Sequence, residues 1–469
     1  MSAFEKLAAV IAGEKTLPSL RVLAASGQLG YGIPEPAFWA GIAREPHVIG
    51  ADMGSIDPGP AYLGSGHPAT SPSMTKRDLR LVLLGARRLD VPLLIGSAGT
   101  AGTATQLDAT LALIREIAYE EGLRFKLAAI TADMTPERVI QAVDRHEVAP
   151  IGAIAALEAD TVRAAANIVG QMGVEPFQRA LATGADVIVA GRACDTAVFA
   201  AVPALLGYPM AAAMHMAKII ECCSICCLPG GRDAMLGALD ENGFDLESMN
   251  PDRRATPTSV AAHSLYEQAD PYSVSEPDGV LRLDTARYEA IDERRVRVSG
   301  AEWRPAPRPS VKIEGAERVG ERAILLAGAA DARFIENIDD ILRGVEATVR
   351  DILPADPAAP YSLHFRRYGL DGVVEWPAPP KQPPREIFLL GECIAASAEQ
   401  ATSVIATFRQ HLLHHGFLGR LSTGGNLAFP LTPPELNAGT AYRFSIYHVM
   451  QLDDPGEMST LFPVRTEMI

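Results

Sequence analysis

Short apolar runs alternate with amphipathic stretches through the first half of the chain. The runs are LRVLAA (Leu20–Ala25), HVIGAD (His47–Asp52), VPLLIGS (Val91–Ser97), FKLAAIT (Phe125–Thr131) and DVIVAG (Asp186–Gly191). Each is short, apolar almost throughout and bounded by turn residues, which is the pattern of a strand buried on both faces. Between them, Lys76–Leu89 and Thr105–Glu121 space their apolar residues as helices do. Buried strands separated by amphipathic helices imply βαβ units, a mostly parallel β-sheet covered by helices, and right-handed crossovers.

From about Ala255 the pattern changes. VLRLDTARYEAIDERRVRVSGAEW alternates β-formers with charges, as antiparallel strands do. AILLAGAAD (Ala323–Asp331) and the helix Phe334–Leu353 follow, then the Pro/Ala-rich joint PADPAAPYS. The last part reads strand, strand, helix, strand, a small α+β unit of ferredoxin-like type. The expected fold is therefore α/β, with a large domain over 1–354 and a small C-terminal α+β domain over 360–469.

Composition narrows the class. With 469 residues, 48% hydrophobic and 21% charged, the chain has material for two cores and reads as soluble and globular. A net charge of −15 argues against nucleic acid as a partner. No run approaches the ~18 apolar residues of a membrane span, and the first 25 residues lack an apolar stretch of secretory length. Six cysteines, four of them in ECCSICC, do not form a secreted disulfide framework. A cytoplasmic location with reduced thiols is expected, as a homo-oligomer.

In open α/β sheets, ligands bind beyond the carboxyl ends of the strands. The segments there are SGQLGYG, GADMGSIDPGPAYLGSG, GSAGTAGTATQLD and GRACDTAVF, each combining glycine with hydroxyls, acids or arginine. In the second, Asp52 at the strand end is the expected functional acid, and Asp57, held extended before Pro58, is read as a substrate contact or as a brace for the loop. The third opens a helix and offers Ser97, Thr100 and Thr103 with free backbone N–H groups to an anion, or else caps the helix. It has neither a Walker lysine nor the GxGxxG spacing, so a nucleotide-dependent transferase gains no support. In the fourth, Arg192 suits a carboxylate and Asp195 a base, or Asp195 caps the following helix with Arg192 as its partner. MAAAMHMAKIIECC carries His215, Lys218 and Glu221 at i, i+3 and i+6, a possible acid–base set or a packed histidine on an apolar helix.

Cys223 and Cys226 form a CxxC without further ligands of matching spacing, so the cysteines read as buried thiols rather than a zinc site. His411 and His415, at i, i+4, read as complementing a helix C-terminus. In the last domain, Thr423 and Asn426 of LSTGGNLAFPLTPPELNAGT are candidate ligand contacts in a cleft between domains. The same segment also reads as a turn-rich surface connection.

The stretches ADMGSIDPGPAYLGSG, IGSAGTAGTATQLD, VIVAGRACDTAVFAA and HMAKIIECC, with the STGGNLAFP region, resemble the acyclic terpene utilisation (AtuA-type) family. The resemblance runs from about Leu20 to the C-terminus. It implies a large α/β domain followed by a small ferredoxin-like one, and a link to breakdown of acyclic terpenes such as citronellol and geraniol, whose acids are handled as CoA thioesters. It transfers no catalytic residue.

Chemistry gives a first expectation, an enzyme. Proton abstraction beside a carbonyl needs a base, an acid and an anion holder. A hydro-lyase (hydratase/dehydratase) or isomerase acting on a small carboxylic acid or its CoA thioester would draw these from Asp52, Asp195, His215 and Glu221. Asp52 or Asp195 is the expected base, His215 the acid, and Arg192 with Ser97 and Thr100 the substrate holders. No cofactor is evident, and the carboxylates leave room for a divalent metal such as magnesium. The alternative is a non-catalytic metabolite-binding partner subunit of another enzyme, whose acids are caps and solvated groups.

Overall fold

A computed structural model of the chain describes every residue except 266–268, 379–381, 383, 422–424 and 455. The chain divides into two compact units, Met1–Glu317 with Phe444–Ile469, and Arg318–Arg443.

Five parallel strands form the centre of the first unit, in the order Leu20–Ser26, Val48–Asp52, Leu93–Gly96, Val187–Ala190, Lys126–Ile130. They coincide with the five apolar runs. Because side chains alternate between faces, Leu23, Ile49, Leu93, Ile95 and Val187 enter one core with the helices Pro72–Leu89 and Ala104–Glu121. Val22, Val48, Leu94 and Ile188 enter the other, with Phe177, Phe199 and Met216 of the helices Val174–Ala182, Asp195–Leu205 and Met210–Ile220. Burial on both faces is why these strands are apolar throughout.

The whole sheet has ten strands and is mixed, not mostly parallel. Met235–Asp240 pairs antiparallel with Leu20–Ser26, and Gly243–Ser248, Arg295–Ser299 and Arg287–Ala290 follow antiparallel beyond it. Val464–Met468 closes the opposite edge antiparallel to Lys126–Ile130. Short hairpin turns join Met235–Asp240 to Gly243–Ser248 and Arg287–Ala290 to Arg295–Ser299, and a short turn can only reverse direction.

The second unit has the order strand, helices Ala332–Glu336 and Ile338–Ile352, strand Tyr361–Tyr368, strand Ile387–Ala395, helix Ala398–His414, strand. Its core is Leu325, Phe334, Val345, Leu389, Phe408 and their neighbours. The Pro/Ala-rich joint after Ile352 lies inside this unit, between a helix and the Tyr361–Tyr368 strand. The limits at 317/318 and 443/444 fall within the strands Ser310–Ala329 and Glu435–Gln451. An uninterrupted strand has no turn residues to announce a boundary, so the division differs from the expected one near residue 354. Residues Phe444–Ile469 accordingly belong to the first unit. Among the described residues, no helix is long and apolar enough to cross a membrane.

Candidate functional site

The loops at the carboxyl ends of the parallel strands are laced together by backbone hydrogen bonds. Met53 N–H donates to Gly96 O at 3.1 Å, Ser97 N–H to Gly191 O at 3.0 Å, Gly191 N–H to Ile130 O at 2.8 Å and Arg192 N–H to Gly102 O at 3.2 Å. The last contact requires glycine. Gly102 has φ +68°, and a Cβ there would lie 2.0 Å from Arg192 N. The expected convergence of these loops at one sheet edge is thus present.

At that edge lies a cavity of about 410 Å³ whose polar wall carries Asp195, Lys218, Glu221, Glu276, Arg192 and Lys312. Lys218 and Glu221 come from the end of the Met210–Ile220 helix, where Glu221 is the C-cap, and their side chains meet at 2.5 Å. Glu276 ends the short strand Ser273–Glu276 and accepts at 3.0 Å from Thr196 Oγ1 on each carboxylate oxygen. Asp195 is the first residue of its helix; Cys194 holds the N-cap position and makes no side-chain cap bond. The Asp195 carboxylate is 35% exposed and stands 3.9 Å from Arg192 Nη1.

Arg192 is itself buried, at 3% exposure. Its Nε donates to Glu314 Oε2 at 2.8 Å and its Nη2 to Glu314 Oε1 at 3.4 Å. Lys312 reaches the same carboxylate at 2.8 Å and lies 4.2 Å over the Tyr447 ring. The contacts of Arg192 Nη1 are long: Ser97 Oγ at 3.3 Å, Ala193 O at 3.4 Å, Gly54 O at 3.5 Å and Asp195 Oδ1 at 3.9 Å.

Burial sets the proton affinities. It pushes Glu221 up to about 8 against the pull of Lys218, with Asp195 adding to the rise. It pushes Glu276 up to about 7 against the Thr196 hydrogen bond and the charge of Lys218. Burial opposes the Lys218 charge, but Glu221 outweighs it and holds the ammonium above the usual lysine range. For Glu314, burial is outweighed by Arg192 and Lys312, which hold the carboxyl below its ordinary value. The cavity therefore offers two carboxyls that change protonation near neutrality beside groups of fixed charge, an arrangement suited to proton transfer.

The structure brings Asp195, Glu221 and Arg192 together, and it redistributes the other candidates. Asp52 is 1% exposed, and its Oδ2 accepts from Gly54 N–H at 2.7 Å. Burial and the charge of Asp195 hold its carboxyl well above the carboxylate range. Asp52 is thus the loop's brace rather than the exposed acid expected of it, whereas Asp57 is exposed and lines the cavity. The strand ends at Asp52 with its side chain buried, and the chain first lines the cavity at Ser55 and Asp57.

Ser97 is fully buried and bonded to the 192–193 backbone and side chain, while Thr100 Oγ1 donates to Met53 O at 3.2 Å. Thr103 forms a capping box with Gln106. These hydroxyls are committed to the scaffold rather than presented to the cavity. His215 packs edge-on against Phe244 and Tyr288, with Nε2 3.4 Å from Ser264 Oγ and 3.3 Å from Tyr288 Oη, and does not line the cavity. At 3.6 residues per turn, His215 points about 120° away from Glu221, so their i, i+6 spacing separates rather than joins them.

Asn426 belongs to the second unit, where its Nδ2 donates to His415 O at 3.0 Å and it lines that unit's own cavity. Thr423 lies outside the described residues. All six cysteines are free, and among the described residues no group of three or more His, Cys, Asp or Glu is arranged to hold a metal ion.

Glu276, Lys312 and Glu314 were not legible as site residues. VKIEGAE did carry a signal, since alternation puts Lys312 and Glu314 on one face of a strand with Val311 and Ile313 on the other. Glu276 sits in an ordinary hairpin sequence, SVSEPDG, and nothing there marks it.

Neither a curated protein nor a solved structure matches the chain. A family model does, that of the acyclic terpene utilisation family protein AtuA, over residues 83–244 and 247–429. The matched segments contain Arg192, Asp195, Lys218, Glu221, Glu276, Lys312 and Glu314 of the cavity wall and its ion triad. The resemblance carried by the glycine loops thus holds over most of the chain, and the protein belongs to the acyclic terpene utilisation family.

Proposed function

We propose that the protein is a catabolic enzyme that works by acid–base chemistry on a small carboxylic acid or its CoA thioester, as a hydro-lyase or an isomerase. The observation that carries this reading is the convergence of Asp195, Glu221 and Glu276 around Lys218 in one cavity, with Arg192 and Lys312 in its wall. Membership of the acyclic terpene utilisation family supports a branched, acyclic acid as the substrate.

Asp195, the most open of the three inner carboxylates, is the base that removes a proton beside the substrate carbonyl. Arg192 Nη1 and Lys312 meet the negative charge that develops on the carbonyl oxygen. Glu221, whose carboxyl burial pushes up to about 8 against the pull of Lys218, is the acid. In a hydro-lyase it protonates the departing hydroxyl; in an isomerase it protonates the carbon at the far end of the shifted double bond. Glu276 and Lys218 tune Glu221 and hold it in place. His215 has no part in this scheme. We read the second unit, strand–helix–strand–strand–helix–strand, as ferredoxin-like.

Solvent deuterium exchange tests the scheme. Branched acyclic 3-hydroxyacyl and enoyl thioesters, and the free acids, are incubated with the protein in D₂O, with and without magnesium, and read by mass spectrometry. Incorporation beside the carbonyl is expected, together with loss of at least ~100-fold in rate for Asp195→Asn. An alkaline fall near pH 8 is expected in the wild type and should disappear in Glu221→Gln. Binding of these compounds without exchange would instead favour a metabolite-binding subunit.

A further inference from the structure

A second cavity, of about 550 Å³, adjoins the polar one in the same unit and shares Asp57, Arg192, Lys312 and Tyr447 with it. The rest of its wall is mainly apolar: Ile56, Ile154, Leu157, Phe444 and Ile446, with the small side chains of Ala155 and Ala156. Large apolar side chains scattered singly over a surface need no explanation, but here three of them meet around one hollow. Ile154 is 42% exposed, Phe444 40% and Tyr447 37%.

The wall is also pre-formed. Val148–Pro150 pairs with the strand that carries Phe444 and Tyr447, and His448 Nε2 lies 3.0 Å from Ala155 O, fixing the 154–157 loop against that strand. A pre-formed apolar hollow with positive charge at one side fits a molecule with an anionic or carbonyl head and a hydrocarbon tail.

We propose that this second cavity is a tail chamber. It takes the hydrocarbon end of an acyl substrate whose carboxylate or thioester carbonyl sits at the seam between Arg192 and Lys312, and its apolar walls set the chain length accepted. The placement of the head rests on the acid–base reading above; the tail chamber itself does not. Ala155 and Ala156 keep the hollow open because any larger side chain at those positions would occupy it. Phe444 bounds it from the strand side.

Calorimetric titration of the intact chain with straight-chain carboxylates from acetate to decanoate, and with the matching 1-alkanols, tests this. The dissociation constant should fall about fourfold per added methylene, the factor that ~0.8 kcal/mol per buried methylene corresponds to, until the chamber is full. Ala156→Trp should end the gain at a shorter chain and Phe444→Ala should extend it to a longer one. Acetate binding should stay unchanged in both. Both positions are exposed, and the two variants act in opposite directions, so a folding defect cannot mimic the pair of results.

A flat series for acids and alkanols alike would overturn the proposal, as would a length dependence that ignores both variants. Equal affinity for acids and alkanols of each length would keep the tail chamber and remove the head from the Arg192–Lys312 seam. Failure of the deuterium exchange with an intact length series would remove the catalytic scheme alone.

Discussion

Replacing Glu314 by glutamine should destabilise the first unit by about 3–4 kcal/mol, because it strands a buried cation. Glu314 is 0% exposed and is shared by Arg192, whose side chain is 4% exposed, and by Lys312, at 25%. Lys312 has a route to water once its partner is neutral; Arg192 has almost none. The amide oxygen still accepts one hydrogen bond, so the loss falls in the lower part of the range for breaking a buried pair. With a urea slope of ~3 kcal/mol per molar, the midpoint should drop by about 1 M.

Tryptophan fluorescence can follow the first unit alone, since Trp39 and Trp303 lie in it and Trp376 in the second can be changed to Phe. The pH dependence gives an independent check. Arg192 and Lys312 hold the folded carboxyl below its ordinary value of 4.5. A depressed carboxyl stabilises the fold above the unfolded value, and that contribution is lost as pH falls through the folded one. The gap between wild type and Glu314→Gln should therefore be full at pH 7 and narrower at pH 3.5. A midpoint shift under about 0.3 M at pH 7, or a gap that does not narrow in acid, would refute the idea that a buried, paired carboxylate holds this wall.

Asp78 accepts from the N–H groups of Gly30, Gly32 and Ile33 at 2.9, 2.9 and 3.0 Å, so Asp78→Ala should cost at least ~3 kcal/mol and expose residues 27–33 to limited proteolysis. Burial lowers His215 to about 3, so the unfolded chain binds a proton that the folded one refuses. Its contribution to stability is present above 6.5 and declines by about 2 kcal/mol on going down to pH 5; His215→Phe should flatten that slope in pH-dependent melts while leaving deuterium exchange intact. Gly102→Ala should disorder the Arg192 loop, seen as faster amide exchange over 191–196 and loss of ligand binding, because its Cβ would overlap Arg192 N.

Much of the first unit was legible because its determinants are local. A strand buried on both faces must be apolar at consecutive positions, and a helix covering it must be amphipathic, so Leu20–Ser26, Val48–Asp52 and their neighbours declare themselves residue by residue. Polar glycine loops after such strands must gather at one edge, which is how Arg192 and Asp195 are legible as neighbours from the sequence. What was not legible is whatever depends on residues distant in sequence. Nothing in SVSEPDG reveals that Glu276 faces Lys218, and nothing in VKIEGAE reveals that Glu314 is the partner of Arg192, 122 positions away. The direction of a side chain at a strand end is equally hidden, which is why Asp52 turns out to be buried on the Gly54 N–H instead of standing open as an acid.

The sequence by itself thus determined the parallel centre, the helices that cover it, the converging loops and the family. The tertiary structure decided the rest: antiparallel strands flanking that centre, strands that cross the unit limits without a turn to mark them, and a set of carboxylates whose proton affinities depend on shared burial. The division follows from range. Periodicity and capping are encoded within a dozen residues, whereas burial, ion pairing and the shape of a cavity exist only once distant segments exclude water together.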